Sequence, residues 1–443
     1  MNKVQKSALI YMVIVLLLAY GYAVGRFEVF PHAWIEKYVK DFQRFAAGDP
    51  LEKKSSVTDK LFSDLALTYA RWAYAYPPLA VEGARPLNHP AFKKRDPPLY
   101  FVDDDNKAGY RVVIGAFDLA GGTFWGGILI SPDSKIIHTW NFSTDHIKGA
   151  APERLKNLYG VHVFPDGSVI FNMGKRSGGI VKVDACSNIV WTLHGDFHHT
   201  VSPDEHGNFW TFIGKSSTYD QDLALVSIET GKIVRRINMK DVRAANPDLH
   251  IWNLGGIGNI ISGNMTHGND IDPLPAAKAH EYPGLKAGDL VISYAATNLI
   301  FILDPDTLEV KWWRVGAGDF QHDPDWEPDG QIVLFSNNHR AEKTVSDIVD
   351  IDYATMRDHV ILRGERYGFY SDANGRHQLT PYGTRMITSS RQGWAFEVDS
   401  TGKIVSSFVN NYNAKEALAL HLSEAWRFDE NYFKDKFWLK CGS

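Results

Sequence analysis

The chain predicts an all-β fold, a six-bladed β-propeller preceded by an N-terminal transmembrane helix and short juxtamembrane helices. Three observations carry the propeller. A turn–strand–turn–strand unit recurs from Pro97 onward, many of its strands end in Trp, and helical periodicity fades over the same stretch. A repeat on the order of 45 residues holding four short strands is what one propeller blade requires. A β-solenoid repeats at shorter intervals and a β-sandwich does not repeat, so both fit less well.

The N-terminus comes first. Lys3 and Lys6 precede an apolar run from Ala8 to Val24, which Arg26 ends. The run sits at the short end of a membrane span and exceeds an ordinary signal-peptide core. Because the basic side leads, the N-terminus is expected in the cytoplasm and all that follows Arg26 across the membrane. Residues 1–26 are therefore read as a cytoplasmic tip and an uncleaved signal anchor. The rival cleavage sites, Ala19-Tyr20-Gly21 and Gly21-Tyr22-Ala23, contain bulky residues. This makes a single-pass protein of the cell (inner) membrane, with its globular part on the periplasmic or extracellular side.

Residues 27–97 form the juxtamembrane segment. Ile35, Tyr38, Val39, Phe42 and Phe45 recur at helical spacing until Gly48-Asp49-Pro50 stops them. A second helical stretch spans Asp59 to Ala75. Both suit a stalk, and a homodimer contact is another use open to them. The propeller occupies 98–443.

Composition supports a large core, with 44% hydrophobic residues, 13 Trp and 24 Phe. The net charge of −5 and the lack of a Lys/Arg-dense stripe argue against nucleic acid as a partner. Two cysteines, Cys186 and Cys441, give neither a disulfide framework nor a Cys-based zinc site. They pair only if the chain end returns to an early repeat, and two separate thiols are the simpler expectation.

The repeats are legible through their turns. Gly127–Ile130 leads through Lys135 to Trp140, Phe164-Pro165-Asp166-Gly167 to Trp191, and Pro203-Asp204-Glu205-His206-Gly207 to Val234. Asp304-Pro305-Asp306 leads to Trp313, and Pro381-Tyr382-Gly383 to Val405. Pro-Asp-Gly and Gly-Lys are hairpin chemistry, because Gly takes positive φ at low cost. The wider later gaps hold further, more divergent units, which brings the count to about six.

In a propeller the innermost strands line a central channel, so residues at equivalent places in different blades meet at the axis. His162, His198-His199, His322 and His377 all lie a few residues before a turn. His267 sits in Thr266-His267-Gly268-Asn269-Asp270, and Arg340 follows Ser336-Asn337-Asn338-His339. Imidazoles and a guanidinium drawn from several repeats suit transfer of a small anionic group. Imidazole accepts the group or moves protons near neutral pH, and guanidinium fixes charge on its oxygens. The acidic stretch Asp319 to Glu327 around His322 also invites a metal reading, although Asp-Pro is ordinary turn chemistry. No cofactor and no metal are expected.

The chain resembles the bacterial arylsulfotransferases. Gly127 to Trp140 is similar to the family's opening blade, and His267-Gly268-Asn269-Asp270-Ile271 to its His-x-Asn-(Ser/Asp)-Ile element. Asp319-Phe320-Gln321-His322, Gly330 to Asn338 and Arg340 resemble its Gln-His…Phe-x-Asn…Arg block. Arg376-His377-Gln378-Leu379 through Asp399 resembles its closing blade. The resemblance covers roughly residues 100–410 and implies an exported propeller. Its activity would move a sulfuryl group from an aryl sulfate to a phenol, through a sulfated histidine and without a nucleotide donor. It implies that His267, His322 and Arg340 hold the sulfuryl group, with small aromatic sulfates and phenols as partners. The family's late-strand nucleophile has no counterpart in Thr388 to Phe396, so His377, one strand earlier, is the expected substitute. Trp252, Trp326 and Tyr370 are the aromatics expected to stack on substrate. A metal-assisted hydrolase and a non-catalytic binding scaffold are the alternatives.

Overall fold

In the computed structural model the described residues are Val15, Tyr20, 81–90, 92, 95–117, 125–142, 158–172, 179–214, 221–253, 266–339, 345–414 and 418–441. The chain divides into two units, Met1–Leu61 and Phe62–Ser443. Val15 and Tyr20 of the first are helical. Otherwise the expected anchor and juxtamembrane helices lie outside the described residues. Among the described residues no helix is long and apolar enough to cross a membrane.

The second unit is a six-bladed β-propeller, as the repeats predict. Blade 2 comprises Gly160–Val163, Val169–Asn172, Gly179–Val183 and Ile189–His194. Blade 3 comprises Phe197–Pro203, Asn208–Ile213, Asp222–Ser227 and Ile233–Ile237, and blade 4 Gly268–Pro273, Leu290–Tyr294, Leu299–Leu303 and Val310–Val315. Blade 5 holds His322–Glu327, Gln331–Ser336, Asp347–Asp352 and Asp358–Arg363. Each is an antiparallel meander running outward from the axis. Asp side chains set several of its turns. Asp184, Asp204 and Asp399 each accept backbone N–H groups two and four residues on, at 2.7–2.9 Å.

The two ends of the described chain close the circle. Blade 1 takes its innermost strand, Leu422–Phe428, from the C-terminus and pairs it with Tyr110–Ala116, with Ala425 opposite Val113. Trp125–Ile130 and Ile136–Asn141 complete that blade. Blade 6 comprises Arg376–Leu379, Arg385–Ser389, Trp394–Val398 and Ile404–Val409, and the early strands Leu99–Val102 and Arg85–Pro86 extend its outer edge. Apolar layers fill the spaces between blades. Val112, Ile114, Trp140 and Phe171 form one layer with Phe437, and Phe212, Leu223, Ile271 and Ile292 form another. Dry packing of this kind is the main source of stability, with each buried Leu or Ile side chain worth roughly 2–5 kcal/mol against Ala.

Closure corrects the cysteine expectation. Because the C-terminal strand returns to blade 1, Cys441 lands beside Cys186 in the outer turn of blade 2, and the two form a disulfide. The tail between strand and disulfide is aromatic. Phe428 stacks on Tyr432 with centroids 4.1 Å apart, and Phe437 lies 5.1 Å from His138 and 5.8 Å from Trp140.

The 255-residue separation overstates what the disulfide constrains, since Leu422–Phe428 already closes the ring. Cys441→Ser should therefore lower the unfolding free energy by about 2–3 kcal/mol, the lower part of the usual range. Chemical denaturation measures it. A reductant should reproduce the loss in wild type and add nothing in the variant. An unchanged midpoint in both would mean that aromatic packing alone holds the tail.

Candidate functional site

Where each innermost strand enters its sheet, the chain leaves one large polar or aromatic side chain at the channel mouth. These are Tyr159, His199, His267, His322, Asn374 and His421, from blades 2, 3, 4, 5, 6 and 1 in turn. They form a contiguous arc. Ring centroids lie 4.8 Å apart for Tyr159–His199, 5.2 Å for His199–His267, 5.3 Å for His267–Phe320 and 5.8 Å for Phe320–His322. The Asn374 backbone N–H then donates to His322 Nε2 at 3.3 Å, and its side-chain amide meets His421 Nε2 at 3.2 Å. Trp125 stands edge-on to His421 at 5.7 Å.

Local backbone geometry turns these side chains inward. The innermost ladder slips at His198/Ser202, Gly268/Asp270, His322/Asp325 and Leu422/Glu424, and such bulges re-aim side chains. His199, His267, Phe320, Asp323 and Asn374 all take positive φ, between 48° and 60°. Left-handed backbone in non-Gly residues costs about 1–3 kcal/mol each and gathers at functional sites. After Asn374 the chain uses Gly375 at φ +102°, where a Cβ would meet the Phe335 ring at 2.5 Å.

The state of His322 is fixed by its neighbours. Asn337 gives both its N–H donations away, to Ser371 O at 2.7 Å and Asn374 O at 2.6 Å, so its Oδ1 accepts from His322 Nδ1–H at 2.7 Å. Nε2 is left with the lone pair. Burial lowers the His322 pKa to about 4, Arg376 adds to this, and the hydrogen bond to Asn337 offsets part of it. Burial and then Arg391 lower His421 to about 3. Both are neutral imidazoles near pH 7. His421 Nδ1 is buried with no hydrogen-bond partner.

A second layer lies one to three residues further along the same strands. The Arg376 guanidinium contacts Asp270 Oδ2 at 2.6 Å, Asp323 Oδ1 at 2.7 Å, Glu424 Oε1 at 3.0 Å and the Tyr159 carbonyl at 3.3 Å. Thr200 of blade 3 hydrogen-bonds the same Asp270. Burial pulls the Arg376 pKa down, but Glu424, Asp270 and Asp323 outweigh it and raise it well above the ordinary value. Burial raises Glu424, Asp272 and Asp325 well above the usual carboxylate range.

The predicted residues are thus partly assembled. His267 and His322 share one mouth, with Phe320 between them. His377 sits in the acidic layer. Its Nε2–H donates to Asp323 O at 3.0 Å, and its Nδ1 accepts from Arg385 at 3.3 Å. Arg385 in turn grips Glu327 with two bonds of 2.6 and 2.7 Å. Asp323, Asp325 and His377 bring one ligand atom each within 4.8 Å of one another, a spacing that could hold a cation. Both His377 nitrogens are, however, already engaged. Arg340 lies outside the described residues. Trp252 and Trp326 are core residues, packed on Phe301 and Tyr282, and Trp125 is buried in the core behind His421, so the aromatics at the mouth are Tyr159 and Phe320 instead. Tyr370 belongs to the connection before blade 6, where its N–H donates to Gln392.

Sequence reasoning passed over Asn374, His421 and Arg376, and placed His198-His199 at the axis without giving either a role. His421 stands in Leu420-His421-Leu422, ahead of what reads as a terminal strand. Only closure of the ring makes that strand innermost.

Residues 160–411 match the family model described as Arylsulfotransferase (ASST). The match starts with the first strand of blade 2 and includes five of the six blades. No curated protein matches the chain. Among solved structures, a Bacteroides caccae protein of unknown function is 13% identical, covering 73% of this chain and 100% of that one at a TM-score of 0.47. TolB from Acinetobacter baumannii is 11% identical, with coverages of 73% and 67% and a TM-score of 0.45. Virginiamycin B lyase from Staphylococcus aureus is 9% identical, with coverages of 56% and 69% and a TM-score of 0.34. These three likenesses carry no argument about function.

The lowered histidines make stability depend on pH. Their folded-state pKa values lie below the unfolded value of 6.5, so their contribution is full above 6.5 and is lost as pH falls toward 4 and 3. The raised carboxylates act in the opposite sense, so variants must be compared. Between pH 7 and pH 5 wild type should lose about 2 kcal/mol more than His421→Asn, measured by denaturant unfolding. Equal losses would show that His421 is solvated.

Proposed function

The chain belongs to the arylsulfotransferase (ASST) family, and from that premise we propose that it moves a sulfuryl group from an aryl sulfate to a phenol at the imidazole arc, without a nucleotide sulfate donor. The observation that carries this reading is the buried Nδ1 of His421, which has no hydrogen-bond partner, in an arc where Asn337 already orients His322. Sulfuryl transfer asks little of a protein beyond a nucleophile and groups that hold three oxygens, much as phosphoryl transfer does.

The first step forms an N–S bond and breaks the S–O(aryl) bond. With Asn374 turned so that its Oδ1 accepts from His421 Nε2–H, Nδ1 carries the lone pair that attacks sulfur. The departing aryloxide takes a proton from water at the mouth. In the second step the acceptor phenol gives its proton to His322 Nε2 while its oxygen attacks sulfur. The S–N bond breaks, its electron pair returns to His421, and His322 passes its new proton to the hydroxide left by the first step, so that both imidazoles end neutral. His322 suits a base because Asn337 pins its Nδ1–H and leaves the lone pair on Nε2, which meets only the uncharged Asn374 N–H at 3.3 Å. His267, with Arg340 from the neighbouring sequence, would hold the sulfuryl oxygens, and an arginine fork does so through two charge-assisted bonds. Tyr159 and Phe320 offer faces and edges for the aromatic rings. His377 is given no step, because it sits in the acidic layer with its Nδ1 turned to the Arg385 cation and its Nε2–H on the Asp323 carbonyl.

The Cys186–Cys441 disulfide supports placement in an oxidising compartment, in keeping with an exported propeller held by an N-terminal anchor. The hydrolase alternative gains less. The atoms that could hold a cation include a histidine whose nitrogens are occupied.

Release of 4-nitrophenol from its sulfate ester should require an added phenol. His421→Ala and His322→Ala should each lower kcat by roughly 10²–10⁴-fold, while His377→Gln should change it less. Release without phenol but dependent on a divalent cation would overturn the transfer reading in favour of hydrolysis. Full activity in His421→Ala would move the nucleophile elsewhere in the arc.

A further inference from the structure

We propose that Arg376 is the positioning residue of the arc, a single guanidinium through which all six blades set the spacing of the histidines above it. Arg376 belongs to blade 6 and reaches Asp270 of blade 4, Asp323 of blade 5, Glu424 of blade 1 and the Tyr159 carbonyl of blade 2. Blade 3 joins through Thr200 on Asp270.

Every one of these contacts is anchored next to a member of the arc. Asp323 follows His322 directly, Thr200 follows His199, Asp270 lies three residues after His267, and Glu424 three after His421. Arg376 itself lies two residues after Asn374, which holds both His322 and His421. Tyr159 is an arc residue. The intervening segments are short and locally strained, with positive φ at His199, His267, Asp323 and Asn374, so a displaced carboxylate displaces its histidine. Asp323 is held from two directions, since its Oδ2 also accepts the His377 backbone N–H at 2.6 Å.

The chemistry of the node fits this task better than general stabilisation. Arginine offers five donors in a rigid plane, and here they address four groups on four strands, which a lysine ammonium could not do. A buried ion cluster contributes little net stability against an apolar replacement, yet removing one partner strands the others. The more consistent return from such a cluster is a defined geometry. An error of about 1 Å at a reacting group is worth about 10²-fold in rate.

The kinetic part of the test rests on the sulfuryl-transfer reading, and a second readout does not. Arg376→Ala should lower kcat by about 10²-fold with KM little changed, and low millimolar guanidinium should restore about tenfold of it, whereas sodium chloride should not. In parallel, ¹⁵N spectra of the histidine rings should show His322 as a single Nδ1–H tautomer in wild type. In the variant that signal should broaden or split, and guanidinium should restore it. If Arg376→Ala does not fold, Arg376→Met combined with Asp270→Asn, Asp323→Asn and Glu424→Gln removes the node without stranding charge and is read in the same way. Wild-type kcat, or an unchanged His322 signal, in the variant that folds would overturn the proposal. If wild type turns over no sulfate ester, the transfer reading fails, and the His322 signal alone decides the role of Arg376.

Discussion

The propeller is organised around one buried positive charge. The Arg376 guanidinium carries carboxylates from three other blades and a carbonyl from a fourth, all within 3.3 Å. Such a charge is tolerable away from water only if its partners stay in place, because losing one leaves the rest uncompensated at a cost of about 3–5 kcal/mol. Six sheets that otherwise meet through non-directional apolar packing thus acquire one directional constraint. Apolar layers fix how far apart the blades are. The ion cluster fixes which atoms face each other at the axis.

Closure is what lets that constraint act on every blade. The C-terminal strand carries both His421 and Glu424 into blade 1, so the axis is incomplete until the last described strand has paired with Tyr110–Ala116. A second buried ion group locks the same seam. Glu397 of blade 6 receives Arg111 at 2.9 Å and Arg427 at 2.5 Å, and both arginines come from blade 1. The aromatic tail and the Cys186–Cys441 disulfide then fasten blade 1 to blade 2 from outside. Function and closure share residues here.

The sequence was most legible where the physics is local. Pro-Asp-Gly and Gly-Lys turns recur because their chemistry is local, and their spacing, with divergent units in the wider gaps, brought the count to about six. His267 and His322 stood out through their flanking motifs. What stayed hidden depends on contacts between residues far apart in the chain. Cys186 and Cys441 looked like unrelated thiols because nothing local says that the chain end returns to blade 1. His421 was overlooked for the same reason. His377 drew attention as a histidine in the right blade, while its neighbour Arg376 makes the contacts to the other blades. Trp252 and Trp326 are a different case, since aromatic residues in a protein this rich in them are core by default, and their positions gave no sign of facing a channel.

The two axial layers also explain each other's electrostatics. Removing a histidine from water favours its neutral form, and Arg376 and Arg391 push His322 and His421 further the same way. A neutral imidazole keeps a lone pair, which a nucleophile or a base needs and an imidazolium lacks. The deeper layer holds Asp270, Asp272, Asp323, Asp325 and Glu424 against Arg376, an excess of acid that burial moderates by raising Asp270, Asp272, Asp325 and Glu424. An anion entering at the histidines therefore meets lone pairs and donors first and acidic groups behind them. Coulomb repulsion grows where burial lowers the dielectric around Asp270, Asp323 and Glu424, so travel along the axis is opposed while residence at the mouth is not. For the proposed reaction this is the useful asymmetry. The sulfuryl group and both aryl partners would be kept on one face, where the acceptor would replace the departing phenol at the same sulfur.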